Sequence, residues 1–252
     1  MHVSPSMKKP PVPLLQNGVR ADGRLPDQMR EVKISVGVVS NADGSAMVSY
    51  GATTAVAAVY GPREMHPRHL SLPDRGVMRV RYHMAPFSTK DERKSPTPSR
   101  REIEISKVLR EALEPAVLLE QYPRSRIDVF IEIIQADGST RVASLTAASL
   151  ALADAGIYMR DLVVGVSVGL VDGVVVLDLN GLEDNYGEGD LPVGYMPNLK
   201  RFVLLQLDGA WKREVFLQAL NLAVKGAEYV YQIARDALKN KYMSIAEEIY
   251  GR

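Results

Sequence analysis

Between Asp161 and Leu199 the chain carries seven carboxylates, Asp161, Asp172, Asp178, Glu183, Asp184, Glu188 and Asp190, and not one Lys or Arg. The window is otherwise apolar and punctuated by glycine, most densely at 181–192. Crowded or buried carboxylates that lack a partner take up protons rather than stay ionised. A chain with this window must therefore fold so that distant cations reach it, or a metal ion must supply the charge.

The rest of the composition sets broad limits. With 252 residues, 46% of them hydrophobic, the chain is long enough for a sizeable core in one large or two small domains. Cysteine is absent, which excludes disulfides, thiolate metal sites and a Cys nucleophile and suits a reducing, cytoplasmic setting. No apolar run reaches the roughly 18 residues of a membrane span, so no membrane association is expected. Residues 1–16 are rich in Pro and Lys, have no apolar signal-peptide core, and read as a flexible N-terminal arm. The net charge of +1 says nothing about partners, but its distribution does. Residues 61–110 hold twelve Lys/Arg against six Asp/Glu, together with His66, His69 and His83. A basic region followed by an acidic one predicts either a polyanion-binding face beside an acidic site or two sets of solvated loops.

Periodicity divides the chain in two. Alternation over 31–39 and 77–84, apolar residues over 53–60 and 127–135, and the Asp43-Gly44 turn before 46–50 predict a first set of strands. The strand over 53–60 is expected to end at Gly61-Pro62. Ser99 with Glu102 has capping-box spacing and starts a helix that Pro115 must end or kink. The Ala- and Ser-rich run 142–155, closed by Gly156, is a second helix, packed closely on a sheet. Strands near 162–170, 174–179, 192–196 and 201–207 follow, then a long helical pattern over 211–250. Strands then helices, twice over, give an α+β fold of two similar layered βαβα-type halves, with helices packed on mixed sheets. The halves are residues 17–158 and 159–252.

Three segments could carry chemistry. Gly138-Ser139-Thr140-Arg141 lies at a strand-to-helix junction, where free backbone N–H groups, two hydroxyls and a guanidinium suit an anion. The same residues would serve as a plain helix cap with Arg141 paired to a surface acid. Arg100 and Arg101 fall in the first turn of a helix, against the preference of its dipole. They are either a phosphate clamp or a solvated pair. The loop with His66, Arg68 and His69 is basic and stiffened by proline; its two histidines are three apart, as in a metal pair, but no Cys accompanies them and a Pro-rich loop is no helix face. Contact of Arg68 with RNA or phosphate is the better functional reading. No phosphate-binding G-x-x-x-x-G-K-[ST] loop is present. Gly165-Val166-Ser167-Val168-Gly169 matches a nucleophile elbow by letter, but it lies inside a predicted strand leading to a turn.

Asp22-Gly23-Arg24, Gly61-Pro62-Arg63-Glu64 with His66-Pro67-Arg68-His69, Pro98-Ser99-Arg100-Arg101-Glu102, Gln135-Ala136-Asp137-Gly138-Ser139-Thr140-Arg141, Ala151-Leu152-Ala153-Asp154-Ala155-Gly156, and Glu183-Asp184 with Gly187-Glu188 and Asp190 occur in that order. Together they resemble the RNase PH family, and within it the catalytic RNase PH-like subunits of archaeal exosomes. The resemblance runs from about Asn17 to the C-terminal helix. It implies an RNase PH-like fold and a phosphate-dependent 3′→5′ exoribonuclease. In such an enzyme inorganic phosphate, as co-substrate, releases nucleoside 5′-diphosphates, and the reverse reaction adds tails to RNA. It implies that Ser139, Thr140 and Arg141 hold the phosphate and that Arg100 and Arg101 clamp the RNA backbone. Arg68 would touch RNA at a constriction of a ring's channel. Asp184 and Asp190 would serve catalysis, as acid or as ligands of Mg²⁺ or Mn²⁺. Implied partners are single-stranded RNA rather than DNA, an inactive paralogue alternating in a hexameric ring, and RNA-binding cap proteins. A non-catalytic RNA-binding ring subunit and a homohexameric enzyme that trims transfer RNA are the alternatives. One departure stands out: the family often has Gly where this chain has Ser139, and Ser would be strained there if the position needs a positive φ.

Overall fold

The computed structural model describes residues 10–90 and 95–251. The expected arm therefore lies outside the described residues at 1–9, and so does part of the Pro-, Ser- and Lys-rich loop that the sequence predicts over 87–98, at 91–94. Residues just beyond the arm's first part are docked. Leu14 packs against Val171, Val176 and Leu179, and β1 (Leu15–Gln16) pairs with β2 (Val19–Arg20).

A five-stranded sheet forms the first half, from β3 (Val32–Val36), β4 (Gly44–Tyr50), β5 (Thr53–Glu64), β6 (Val77–Met84) and β7 (Ser125–Gln135), in the order β3-β4-β5-β7-β6. All its pairs are antiparallel except β6 with β7. A parallel pair needs a long crossover, here α1 (Arg100–Leu113). The expected end of β5 at Gly61-Pro62 is not observed. The strand continues to Glu64 because a register shift between Tyr60 and Arg63 absorbs the proline, which has no N–H to give the ladder.

The capping box of α1 is formed as its spacing predicts. Ser99 N–H donates to Glu102 Oε2 at 2.6 Å, and Glu102 N–H donates to Ser99 Oγ at 3.2 Å. Glu102 Oε1 also accepts from Met84 N–H at 2.9 Å, which ties the helix start to the end of β6. The helix gives way at Pro115 to a short 3₁₀ turn, Glu114–Ala116.

The second half is a four-stranded sheet, from β8 (Val164–Val171), β9 (Val174–Leu177), β10 (Gly189–Met196) and β11 (Arg201–Leu205), in the order β11-β10-β8-β9. It is antiparallel throughout, so only the larger sheet is mixed. A six-residue helix α3 (Gly181–Tyr186) interrupts the acidic window, and α4 (Arg213–Tyr250) runs unbroken for 38 residues. No described helix is long and apolar enough to cross a membrane.

Helix α2 (Thr140–Asp154) unites the halves, packing on β4, β5 and β7 of one sheet and on β8 and β10 of the other. Burial on both flanks explains its small residues: every position from Val142 to Leu152 is buried. At Gly165 in β8 an added Cβ would lie 2.4 Å from the carbonyl oxygen of Val142. Backbone cannot yield as a side chain can, so Gly165→Ala is expected to destabilise the fold by about 2 kcal/mol or more, within or above the usual overpacking range. Denaturant unfolding checks this, and an unchanged midpoint would contradict the close contact.

Candidate active site

The junction between β7 and α2 is built by two residues with positive φ, Gly138 at 70° and Ser139 at 57°. A Cβ on Gly138 would fall 2.7 Å from the carbonyl carbon of Asn180, so only glycine lets this loop lie against 179–180. Ser139 does occupy the left-handed conformation that the sequence marked as a strain. Its hydroxyl offsets that cost from inside the fold, donating to Leu179 O at 2.8 Å and lying 2.6 Å from Ser167 Oγ. It therefore makes no cap on α2, and what Ser139 can offer an anion at the helix start is its backbone N–H rather than its hydroxyl. The first-turn N–H groups of α2 have no intrahelical acceptor and no side-chain cap, which leaves them to a ligand. Thr140 Oγ1 accepts from the Tyr82 hydroxyl at 3.2 Å. Arg141 is held by Gln206 and, at 3.4 Å, by Glu104.

The acidic window proves to be two populations. Asp178 and Glu183 are structural and buried, and their counter-charges are neither a metal nor Arg100, Arg101 or Arg141. Arg20 donates to both oxygens of Glu183, the Nε contact at 2.7 Å, with both side chains fully buried. Arg30 grips Asp178 through Nε at 2.8 Å and Nη2 at 2.7 Å, and Arg24 approaches the same carboxylate at 3.4 Å. Asp161 accepts from the backbone of Asn198 and Leu199 at 2.8 and 3.2 Å, and Asp172 from Leu15 N–H at 3.2 Å. These acids hold the fold together.

Glu183 also completes a capping box on α3. Asn180 Oδ1 accepts from Leu182 and Glu183 N–H, each at 3.0 Å, and Glu183 Oε2 accepts from Asn180 N–H at 3.0 Å. With Glu183 locked inward, its neighbour Asp184 faces a cleft of about 860 Å³ lined also by Arg101, Gln135, Gly138, Thr140 and Leu182. Asp190 follows at the start of β10. Asp184 is open to solvent, but it stands on the floor of this crowded cleft. Desolvation there, and then the charge of Asp190, raise its carboxyl above the ordinary aspartate range, with Arg101 and Arg141 opposing. Asp190 is raised as well, by desolvation and by Asp208, with Arg141 opposing.

A raised carboxyl favours the protonated folded state, so ionised Asp184 destabilises the fold at any pH above its folded value. Asp184→Asn is therefore expected to melt at a higher temperature than the parent at pH 7. The gain should shrink towards zero as the pH falls below the unfolded aspartate value near 3.8. Thermal unfolding across that range checks it, and a lower melting temperature at pH 7 would contradict the assignment.

The expected site residues are thus not all in one place. Arg101, Thr140 and Asp184 line the cleft, and Arg141 and Asp190 act on it electrostatically. Arg100 stands exposed at the start of α1, outside the cleft lining. Arg68 sits on a 3₁₀ turn after β5, exposed and 3.3 Å from Glu64, also apart from the cleft. Among the described residues no group of three His, Asp or Glu side chains forms a metal cage. The Asp184–Asp190 pair is a hard-oxygen donor set of the size that Mg²⁺ takes when substrate phosphates complete its shell. Sequence reasoning assigned no role to Arg20, Arg24 and Arg30. The base-free window demanded cations without saying whence, and Arg24 stood out only within the motif Asp22-Gly23-Arg24.

Residues 28–158 match the 3′ exoribonuclease family, domain 1, and residues 161–226 match domain 2 of that family. The chain is 94% identical over 246 residues to the exosome complex component Rrp41 of Pyrobaculum aerophilum, covering 98% of this chain and all of that one. It is 59% identical over 236 residues to Rrp41 of Thermococcus onnurineus, covering 94% of each. Among solved structures, rice Rrp46 superposes with a TM-score of 0.76 at 25% identity, over 86% of this chain and 98% of that one. A chain of the Archaeoglobus fulgidus exosome with RNA bound to the active site gives 0.74 at 26% identity, over 86% and 92%.

Proposed function

The chain belongs to the RNase PH family of 3′ exoribonucleases, and we propose that it shortens RNA from the 3′ end by phosphorolysis, as a catalytic subunit of an exosome. The observation that carries this reading is the uncapped start of α2, with Thr140, sharing one cleft with Arg101 and Asp184, and with Arg141 close enough to act on Asp184 by its charge. An anion cradle beside a carboxyl with a raised pKa is what attack by phosphate on a phosphodiester requires.

The steps follow from charge. Inorganic phosphate rests on the free N–H groups at the start of α2, with Arg141 beside it. Arg101, which lines the same cleft, would receive the RNA backbone, so that guanidinium groups offset the repulsion between nucleophile and diester. A phosphate oxygen bonds to the terminal phosphorus, the P–O3′ bond breaks, and a nucleoside 5′-diphosphate leaves. The departing 3′ oxygen needs a proton, and Asp184, biased towards its protonated form, would give it. In the other role open to the pair, both carboxylates are ionised and Asp184 and Asp190 would hold Mg²⁺ or Mn²⁺, which when bound would offset charge on the reacting phosphates. Acceptance of the group by phosphate rather than water makes the reaction a transfer, reversible to tailing. Arg68, remote from the cleft, would guide single-stranded RNA towards it. An inactive paralogue alternating in a hexameric ring, with RNA-binding cap proteins upon it, is the proposed setting.

Arg141→Ala tests the phosphate site. Loss of a charge-assisted contact worth about 2 kcal/mol should raise the phosphate KM at least tenfold, with RNA affinity little changed. Phosphate titration of RNA decay measures this, and an unchanged KM would refute the assignment.

A further inference from the structure

The loop that opens α2 and the segment that opens α3 come from different halves of the fold, yet they must hold phosphate and Asp184 at a fixed separation. We infer that Arg30, which precedes β3 and belongs to neither helix, is the positioning residue that sets this separation. Its guanidinium donates through Nη1 to Asp137 O at 2.6 Å, in the cradle loop. Through Nη2 it donates to Leu179 O at 3.0 Å, and through Nη2 and Nε to both oxygens of Asp178, at the approach to α3. One planar group thus spans both sides.

The surrounding contacts follow the same seam. Gly181 N–H, the first residue of α3, donates to Asp137 Oδ1 at 3.0 Å. Thr53 Oγ1 donates to Gly138 O at 2.7 Å and accepts from Asp137 N–H at 2.9 Å, which fixes the loop from the sheet side. The Arg30 side chain is 8% exposed and is not among the residues lining the cleft, so it acts through the two segments rather than on substrate.

Lysine would keep the charge but not the fork, because one ammonium cannot reach Asp178, Leu179 O and Asp137 O together. This separates position from electrostatics. In the assembled ring, Arg30→Lys should lower kcat by about 10- to 100-fold, the scale of a misplacement near 1 Å. The phosphate KM should rise severalfold. RNA affinity should stay within about twofold, since the RNA-contacting arginines are untouched.

The inference rests on the proposed phosphorolysis, and the experiment distinguishes the two. If the parent ring releases no nucleoside diphosphate with phosphate present, both fall. If the parent is active and Arg30→Lys has the parent's kcat and phosphate KM, only the positioning role falls. Each variant is assayed below its own melting temperature. If Arg30→Lys does not assemble, Arg30→Gln decides, since its amide can reach Asp178 or Asp137 O but cannot span both. A tenfold or larger drop in kcat supports the role, and turnover equal to the parent's overturns it.

Discussion

Replacing Asp184 with Asn is expected to lower phosphorolytic turnover by about 10²- to 10⁴-fold, the usual contribution of a positioned general acid, while RNA affinity changes little. The size follows from the site. The carboxyl stands in the cleft that holds the anion cradle, and desolvation and then Asp190 bias it towards the proton a leaving 3′ oxygen needs. Asn keeps the shape and forfeits the transferable proton. The pH profile separates the two ways in which Asp184 could serve. An acid must be protonated, so turnover falls as the pH rises through its pKa. A metal ligand must be ionised, so turnover rises over the same interval. Single-turnover decay of a labelled RNA measures the rate, and a variant with the parent's rate would remove Asp184 from the mechanism. Its loss should also stabilise the fold at neutral pH, a stability–function opposition common at active sites.

The second large effect is on stability. Arg20→Met strands Glu183 in a site where both side chains are fully buried, with Arg24 the nearest remaining cation at 3.7 Å. Breaking one side of a buried pair typically costs about 3–5 kcal/mol. Arg20 also donates to Leu177 O at 2.6 Å and to Asp178 O at 2.7 Å, so those carbonyls lose a donor too. The double variant Arg20→Met with Glu183→Met removes the stranded charge and should recover part of the loss, though not those backbone bonds or the α3 capping box. Denaturant unfolding of single and double variants measures this. A double variant no more stable than Arg20→Met would show that the charge is not the source of the cost.

Local rules read well where their cause is local. Strand β6 has the bounds its alternation predicts, with Met78, Tyr82 and Met84 buried and Arg79 and Arg81 exposed. Helix α1 starts where Ser99 and Glu102 place it. Helix α3 was not anticipated, although Asn180 and Glu183 carry the same cap spacing. Six residues flanked by glycine offer no apolar period to read, and the helix depends on Glu183 being neutralised from afar. Residues 163 and 148 positions apart, Arg20 with Glu183 and Arg30 with Asp178, leave no trace in periodicity. The structure brings Thr140 and Asp184 to one cleft; the strand-to-helix junction poses its chemical question locally, whereas only the family resemblance separates Asp184 from the other acids of its window. Where the Ser139 hydroxyl goes was not readable, because its partners, Ser167 and Leu179 O, lie 28 and 40 residues away.

The most direct measurement is the fate of inorganic phosphate. RNA is incubated with radiolabelled phosphate and the chain assembled with its paralogue, and the released nucleotides are separated. The account predicts nucleoside 5′-diphosphates carrying the label on the β-phosphate, no release without phosphate, and loss of product in Asp184→Asn. Unlabelled nucleoside monophosphates formed without phosphate would contradict it, because water would then be the nucleophile and the cradle at the start of α2 would have another purpose.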